Sequence, residues 1–263
     1  MTLLGGQSFS WDYEDGCYYG FTSKNIIKLK QENEILYWQT YPERDNSNFV
    51  KNYFRLDINY PKILKTIQKD KYVKKAVMKY PDLRLLKQDF EETLLSFIIS
   101  SNNNIKSIRK IIRLLNLKFG DWIELDGKKI YLFPSTEILA SASIDDLLKC
   151  KLGFRAKYLK STARLLLETN LKEQIQSLDE NKARNELLKI RGVGNKITDC
   201  VLVFGLGFDN ITPIDVWAKR AFTKYYGLSP KMKYEEMRKW VSNHFHGYAA
   251  WAGQFLFEYI RTT

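Results

Sequence analysis

Histidine and cysteine are scarce in this chain of 263 residues, which has two of the first and three of the second. Cys17, Cys150 and Cys200 stand far apart with no Cys-x-x-Cys spacing. A structural zinc site or a four-cysteine iron–sulfur cluster therefore lacks ligands, and Cys17 and Cys150 read as ordinary buried or half-buried thiols. Long apolar runs are missing too: nothing approaches the roughly 18 residues that span a bilayer. The first residues, MTLLGGQSFSW, have neither the basic start nor the apolar core of a signal peptide. The expectation is a protein inside the cell, in cytoplasm, nucleoid or nucleus, with no membrane partner. Internal repeats and low-complexity linkers are also absent.

Positive charge and aromatic rings are plentiful. Lys and Arg number 42 against 30 Asp and Glu, a net charge of +12, and the pI is near 9.4. That balance favours a polyanionic partner such as nucleic acid. Hydrophobic residues make up 44%, with 15 Phe, 16 Tyr and 6 Trp, enough for a packed core of one large domain or two to three small ones.

From Ser8 to about Tyr41 aromatic or β-branched residues alternate with polar ones (SFSWDY, CYYGFT, NIIKLKQ, EILYWQTY). Turn chemistry at Asp15-Gly16 and Glu32-Asn33-Glu34 separates the runs, which predicts an antiparallel meander. No second β region is expected. After Asn52 the period changes to 3.6 residues. Helical patterns cover 53–69, 73–80, 90–103 and 107–120, then 135–148, 156–169, 180–190, 195–206, 215–226, 233–245 and 249–260. The fold class is α+β: a small antiparallel β domain with flanking helices over 1–78, then a helical core over 79–263.

Leu187 to Trp217 reads LLKIRGVGNKITDCVLVFGLGFDNITPIDVW. Two helical patterns meet at Gly192-Val193-Gly194, so a helical hairpin is predicted at about 183–206. Glycines let another backbone approach closely, and the amides opening the second helix can hold a phosphate oxygen. A plain αα-hairpin with a glycine turn fits this segment equally well. Lys196 falls in the first turn of the second helix, where unpaired amides oppose its ammonium form and favour the free amine that a nucleophile needs. Lys196, Cys200 and Phe204 are spaced i, i+4, i+8 and share one helix face; alone, Cys200 and Phe204 fit core packing better. Asp215, 19 residues after Lys196, precedes a helical run and reads as an N-cap. A carboxylate there can also steady positive charge on a sugar carbon or take a proton from an attacking amine.

GVGNKITDC followed by PIDVW resembles the hairpin, lysine and aspartate of the helix-hairpin-helix DNA glycosylases with a GPD motif. The likeness is greatest to the eukaryotic-type 8-oxoguanine branch and extends over most of the chain. It includes GGQSFSW, YFRLD at 53–57, LRLLKQDFEETLLSFIISSNNNI at 83–105, LGFRAKYL at 152–159 and YAAWAGQFLF at 248–257. The resemblance implies that Lys196 attacks the anomeric carbon, displaces the damaged base and forms a Schiff base that β-eliminates the 3′ phosphate. It implies that Asp215 stabilises the sugar cation while capping its helix.

The nucleotide would be flipped out of the duplex, its base held between Cys200 and Phe257 beside Phe204. The carbonyl of Gly6 would accept the N7 hydrogen that 8-oxoguanine has and guanine lacks. Asn102 would fill the gap in the duplex, with Phe154 as a wedge and Arg155 reading the orphaned cytosine. Read alone, these three are a helix-end asparagine, a core aromatic and a solvated arginine. Gly192 and Gly194 would meet phosphates, and the carbonyls of Leu188, Ile190 and Val193 match a structural monovalent cation site. No cofactor is required, the partner is damaged double-stranded DNA, and a single duplex footprint needs only a monomer.

The chain departs from that pattern at three positions. Ser107 stands where the eukaryotic enzymes carry an arginine that also reads the opposite cytosine. Gly253 stands in place of the glutamine on the Watson–Crick edge of the flipped base, with Gln254 one place later. Trp217 replaces a histidine associated with a phosphate contact; its indole donates only one hydrogen bond. Two other functions fit parts of the sequence: a related glycosylase for another damaged base, and a non-catalytic DNA-binding module. The second explains the charge and the GVG turn but not Lys196 with Asp215. Fewer donors face the orphan base once Ser107 replaces arginine, so cleavage of 8-oxoguanine opposite each of the four bases is expected at similar rates; strict dependence on cytosine would refute this.

Overall fold

The computed structural model describes residues 2–22, 24–33 and 35–263. Four strands, β1 (Trp11–Glu14), β2 (Cys17–Phe21), β3 (Ile26–Glu32) and β4 (Ile35–Tyr41), form an antiparallel meander in sequential order, as the alternation predicts. Asp15 and Gly16 both have positive φ, as a two-residue type I′ turn requires. Of the second predicted turn, Glu34 lies outside the described residues. One sheet face packs Trp11, Ile27 and Leu29 on Val50, Tyr53 and Phe54 of α1 (Ser47–Phe54). The Trp11 indole donates to the Tyr53 hydroxyl at 2.9 Å.

A second β region does exist, contrary to expectation. β5 (Trp122–Leu125) and β6 (Lys128–Tyr131) pair through Asp126-Gly127, again with positive φ at both residues. Its strands are too short to show an alternation, but the Asp-Gly pair was a readable turn signal. Lys28 of β3 holds Asp126 at 2.5 Å, and Leu125 and Leu132 pack with Ile26.

The helical remainder surrounds α4 (Phe90–Ile99), which is buried on every side, the pattern of a helix at the centre of a bundle. Helices α2 (Tyr60–Ile67) and α3 (Lys71–Lys79) share this large core with the segments that follow. Next come α5 (Ile105–Phe119), α6 (Thr136–Ser141), α7 (Ile144–Lys149), α8 (Arg155–Glu168) and α9 (Leu171–Gln176). The predicted 135–148 helix is broken because Ser143 caps α7 by accepting from the Asp146 amide. The hairpin is α10 (Glu180–Leu188) and α11 (Asn195–Val201), and α12 (Val216–Tyr226), α13 (Tyr234–His244) and α14 (Ala249–Thr262) complete the chain. The predicted 195–206 helix ends early: Leu202–Leu206 is a π-turn, a wider coil that rotates Phe204 off the ideal i+8 position.

Arg55 locks the segment after α1 to the helical part. Its two terminal nitrogens donate to the Asp209 carboxylate at 2.8 and 3.0 Å, and the Trp251 indole donates to the same carboxylate at 2.9 Å. Arg55→Ala is expected to destabilise the fold by about 2 to 3 kcal/mol, slightly below the range for a fully buried pair, because Asp209 keeps 30% of its side-chain exposure. A urea midpoint that falls at constant slope would report this.

Candidate active site

The N-terminal ends of α5, α8, α11 and α12 border one cleft of about 1100 Å³. Each end brings the positive pole of a helix to the cleft, which suits phosphate before any lysine is counted. At its floor a narrow recess runs between α4, α11 and α14. Lys196, Asp215, Phe257 and Gly6 border both spaces.

The hairpin turn is fixed by contact. Gly192 has φ +89°, and a Cβ there would lie 2.5 Å from the Tyr158 ring of α8. Gly194 opens α11 without a side-chain cap and borders the cleft, and a Cβ there would meet nothing within 4 Å. Lys196 Nζ donates to Ser100 Oγ at 3.1 Å and lies 4.8 Å above the Phe97 ring. Asp215 is the N-cap of α12: Oδ1 accepts from the Ala218 amide at 2.8 Å. Burial raises its carboxyl above the usual carboxylate range, opposed by that amide and by the Lys196 charge. The cap and the proximity to the amine, both expected, are therefore present together.

Cys200, Phe204, Gln254 and Phe257 line the recess, with Phe204 stacked on Phe97 at 5.7 Å between centroids. Gly6 has φ +94°, and a Cβ there would press on Ile105 Cδ1 at 2.8 Å. Gly253 has no room for a side chain, because a Cβ would lie 2.3 Å from Thr212 Cγ2. Thus the glutamine that the family pattern calls for would not fit at 253, while Gln254 reaches the recess.

Asn102 and Phe154 border the outer cleft. Phe154 is 54% exposed, so it is no core aromatic; Asn102 is exposed with positive φ. Arg155 borders neither space. Its guanidinium donates to the carbonyls of Ser101 (2.7 Å from Nε), Asn102 (3.1 Å) and Leu152 (3.2 Å), holding the loop that presents Asn102. Ser107 donates its amide to the Asn104 cap of α5 at 2.9 Å. Trp217 is half-exposed at the cleft with the Arg220 guanidinium 4.9 Å above its ring. At the hairpin, the Ile190 carbonyl accepts from the Val193 amide at 3.0 Å and keeps a second lone pair. The carbonyls of Leu188, Ile190 and Val193 are neutral oxygen donors of the kind a monovalent cation takes.

Residues that the sequence reading passed over set the register of α11. Asp199 is fully buried and takes Arg184 Nε at 3.0 Å and the Tyr234 hydroxyl at 2.8 Å. That hydroxyl accepts from the Ile214 amide at 3.2 Å, one residue before Asp215. Arg184 also reaches Asn195 (2.9 Å) and Glu235 (2.7 Å). A lone acid inside the apolar run ITDCVLV was the readable signal, since a buried carboxylate needs partners.

Comparison with known proteins agrees with this geometry. Residues 1–94 match the family model for the 8-oxoguanine DNA glycosylase N-terminal domain, and 95–244 the model for HhH-GPD superfamily base excision DNA repair proteins. The Saccharomyces cerevisiae N-glycosylase/DNA lyase is 33% identical over 254 residues, 86% of this chain and 68% of the relative. The Arabidopsis thaliana N-glycosylase/DNA lyase OGG1 is 26% identical over 280 residues, 98% of this chain and 75% of the relative. The Clostridium acetobutylicum 8-oxoguanine glycosylase/lyase, solved with double-stranded DNA containing cytosine opposite 8-oxoguanine, superposes with TM-score 0.91 at 34% identity, covering 98% of this chain and 89% of that one. The chain belongs to the helix-hairpin-helix GPD superfamily of base excision repair proteins, in its 8-oxoguanine DNA glycosylase branch.

Burial pushes the Cys200 thiol up to about 12, with the Lys196 charge opposing the rise, so it stays a neutral wall of the recess at physiological pH. Iodoacetamide at pH 8 is expected to label the half-buried Cys17 in the native protein and to reach Cys200 only after denaturation, as read by peptide mass spectrometry.

Proposed function

We propose that this chain turns 8-oxoguanine out of duplex DNA into the recess, displaces the base with Lys196 and then cuts the strand on the 3′ side. It is a DNA glycosylase with AP lyase activity acting in base excision repair. The observation that carries the residue assignment is that Lys196 and Asp215 border both the phosphate-suited cleft and the recess beneath it. An amine and a carboxylate thus meet where the sugar of a flipped nucleotide would lie.

In its free-amine form Lys196 attacks C1′, and the base leaves with the glycosidic electron pair and takes up a proton. Opening of the sugar gives an imine, and loss of a C2′ proton expels the 3′ phosphate. Asp215 spends one oxygen on the Ala218 amide, and its negative charge offsets the cation developing at C1′. In this reading Cys200 and Phe257 sandwich the base and Phe204 closes the recess. Gly6 offers its carbonyl to N7–H, and Gln254 meets the Watson–Crick edge. Asn102 and Phe154 occupy the vacated duplex position, and Arg155 uses a donor left over from its loop contacts on the orphan base. Gly192, Gly194 and Trp217 contact phosphates, and the Leu188, Ile190 and Val193 carbonyls would hold a monovalent cation that steadies the turn. The enzyme acts as a monomer inside the cell, with relaxed opposite-base preference because Ser107 offers a shorter reach than arginine.

Borohydride trapping on a duplex with one 8-oxoguanine tests the reading. A covalent protein–DNA band is expected with the wild type and none with Lys196→Gln. Full duplex affinity without a band in the wild type would point instead to another lesion or to a binding module, whose affinity falls with salt.

A further inference from the structure

Glu258 lies one helical turn beyond Gln254 on α14, is 1% exposed, and has no part in the steps above. Its Oε1 accepts from Gln254 Nε2 at 3.3 Å, and its two oxygens lie 3.4 and 3.3 Å from Arg261 Nη1. Arg261 Nη1 also donates to the Gly5 carbonyl at 3.0 Å, and the guanidinium lies 5.0 Å above the Phe257 ring. A buried acid costs stability unless it is fully partnered, and here its partners are Gln254, which lines the recess, and Arg261, which borders the cleft.

Gln254 lines the recess, while Gly253 is closed by Thr212. A primary amide is nearly symmetric in shape but not in chemistry: one end accepts and the other donates. An ionised carboxylate only accepts, so Glu258 can take only the NH₂ end of Gln254. The carbonyl end is then left for the recess. Burial pushes the Glu258 carboxyl up to about 7, with the Arg261 charge opposing the rise, so the carboxylate predominates at pH 8.

We propose that Glu258 is a positioning residue that sets the hydrogen-bond polarity of the base recess by orienting Gln254. The oriented carbonyl selects bases with N–H donors on the Watson–Crick edge, as 8-oxoguanine has at N1 and N2, over those with an acceptor there, as 8-oxoadenine has at N1. This rests on the glycosylase reading and adds how the edge of the base is recognised. Arg261 holds the acid and ties the same wall to the segment that presents Gly6.

Single-turnover excision at pH 8 from duplexes carrying either lesion tests it, with wild type, Glu258→Gln and Gln254→Leu compared by the ratio of the two rates. Glu258→Gln keeps the shape but can donate as well as accept, so the Gln254 amide is free to turn over. The preference for 8-oxoguanine is expected to fall about tenfold or more in both variants. A purely structural role would lower both rates together and leave the ratio fixed. An unchanged ratio in either variant overturns the proposal. A wild type that excises neither lesion overturns the glycosylase reading instead.

Discussion

The buried pair between Arg184 and Asp199 is the contact on which the site depends. α11 is seven residues long, opens on a glycine without a side-chain cap and runs into a π-turn. So short a segment has little helical stability of its own. Its place is set by tertiary contacts: Arg184 from α10, the Tyr234 hydroxyl at the start of α13, and the apolar side chains of α4. Removing one member of such a pair costs about 3 to 5 kcal/mol. The loss would fall on the helix that carries Lys196.

Tyr234 extends the same constraint to Asp215. Burial and the facing Asp199 carboxylate push its hydroxyl well above the ordinary range, so it remains a donor to Asp199 while accepting from the Ile214 amide. One phenol therefore ties the helix of the amine to the loop that ends in the carboxylate. The amine and the carboxylate are held by a common bolt although 19 residues of chain separate them.

Much of this was legible in the sequence, for physical reasons that differ by element. The meander shows because its strands alternate over four to seven residues against one buried face. The hairpin shows because glycine at 192 is a steric need against Tyr158. The β5–β6 hairpin escaped because four-residue strands carry too little pattern. The π-turn escaped because nothing in the apolar run LVFGL distinguishes a wider coil from an ordinary one. Asp199, Tyr234 and Glu258 were not picked out, since their meaning lies in partners far along the chain or on a face that a one-dimensional pattern does not show. Arg155 was read as a base contact, and its bonds to the Ser101 and Asn102 carbonyls depend on how α8 docks against the α4–α5 loop.

The contact between Gly253 and Thr212 also constrains history. A side chain at 253 would collide with the Thr212 methyl and hydroxyl, and Thr212 is itself held by a hydrogen bond to the Ala249 carbonyl. Moving the amide from position 254 to 253 therefore needs a smaller residue at 212 first; taken in the other order, the intermediate carries an overpacked helix interface. Positions 212 and 253 are sterically coupled. A side chain can enter position 253 only along a path that first opens the contact of α14 with residue 212.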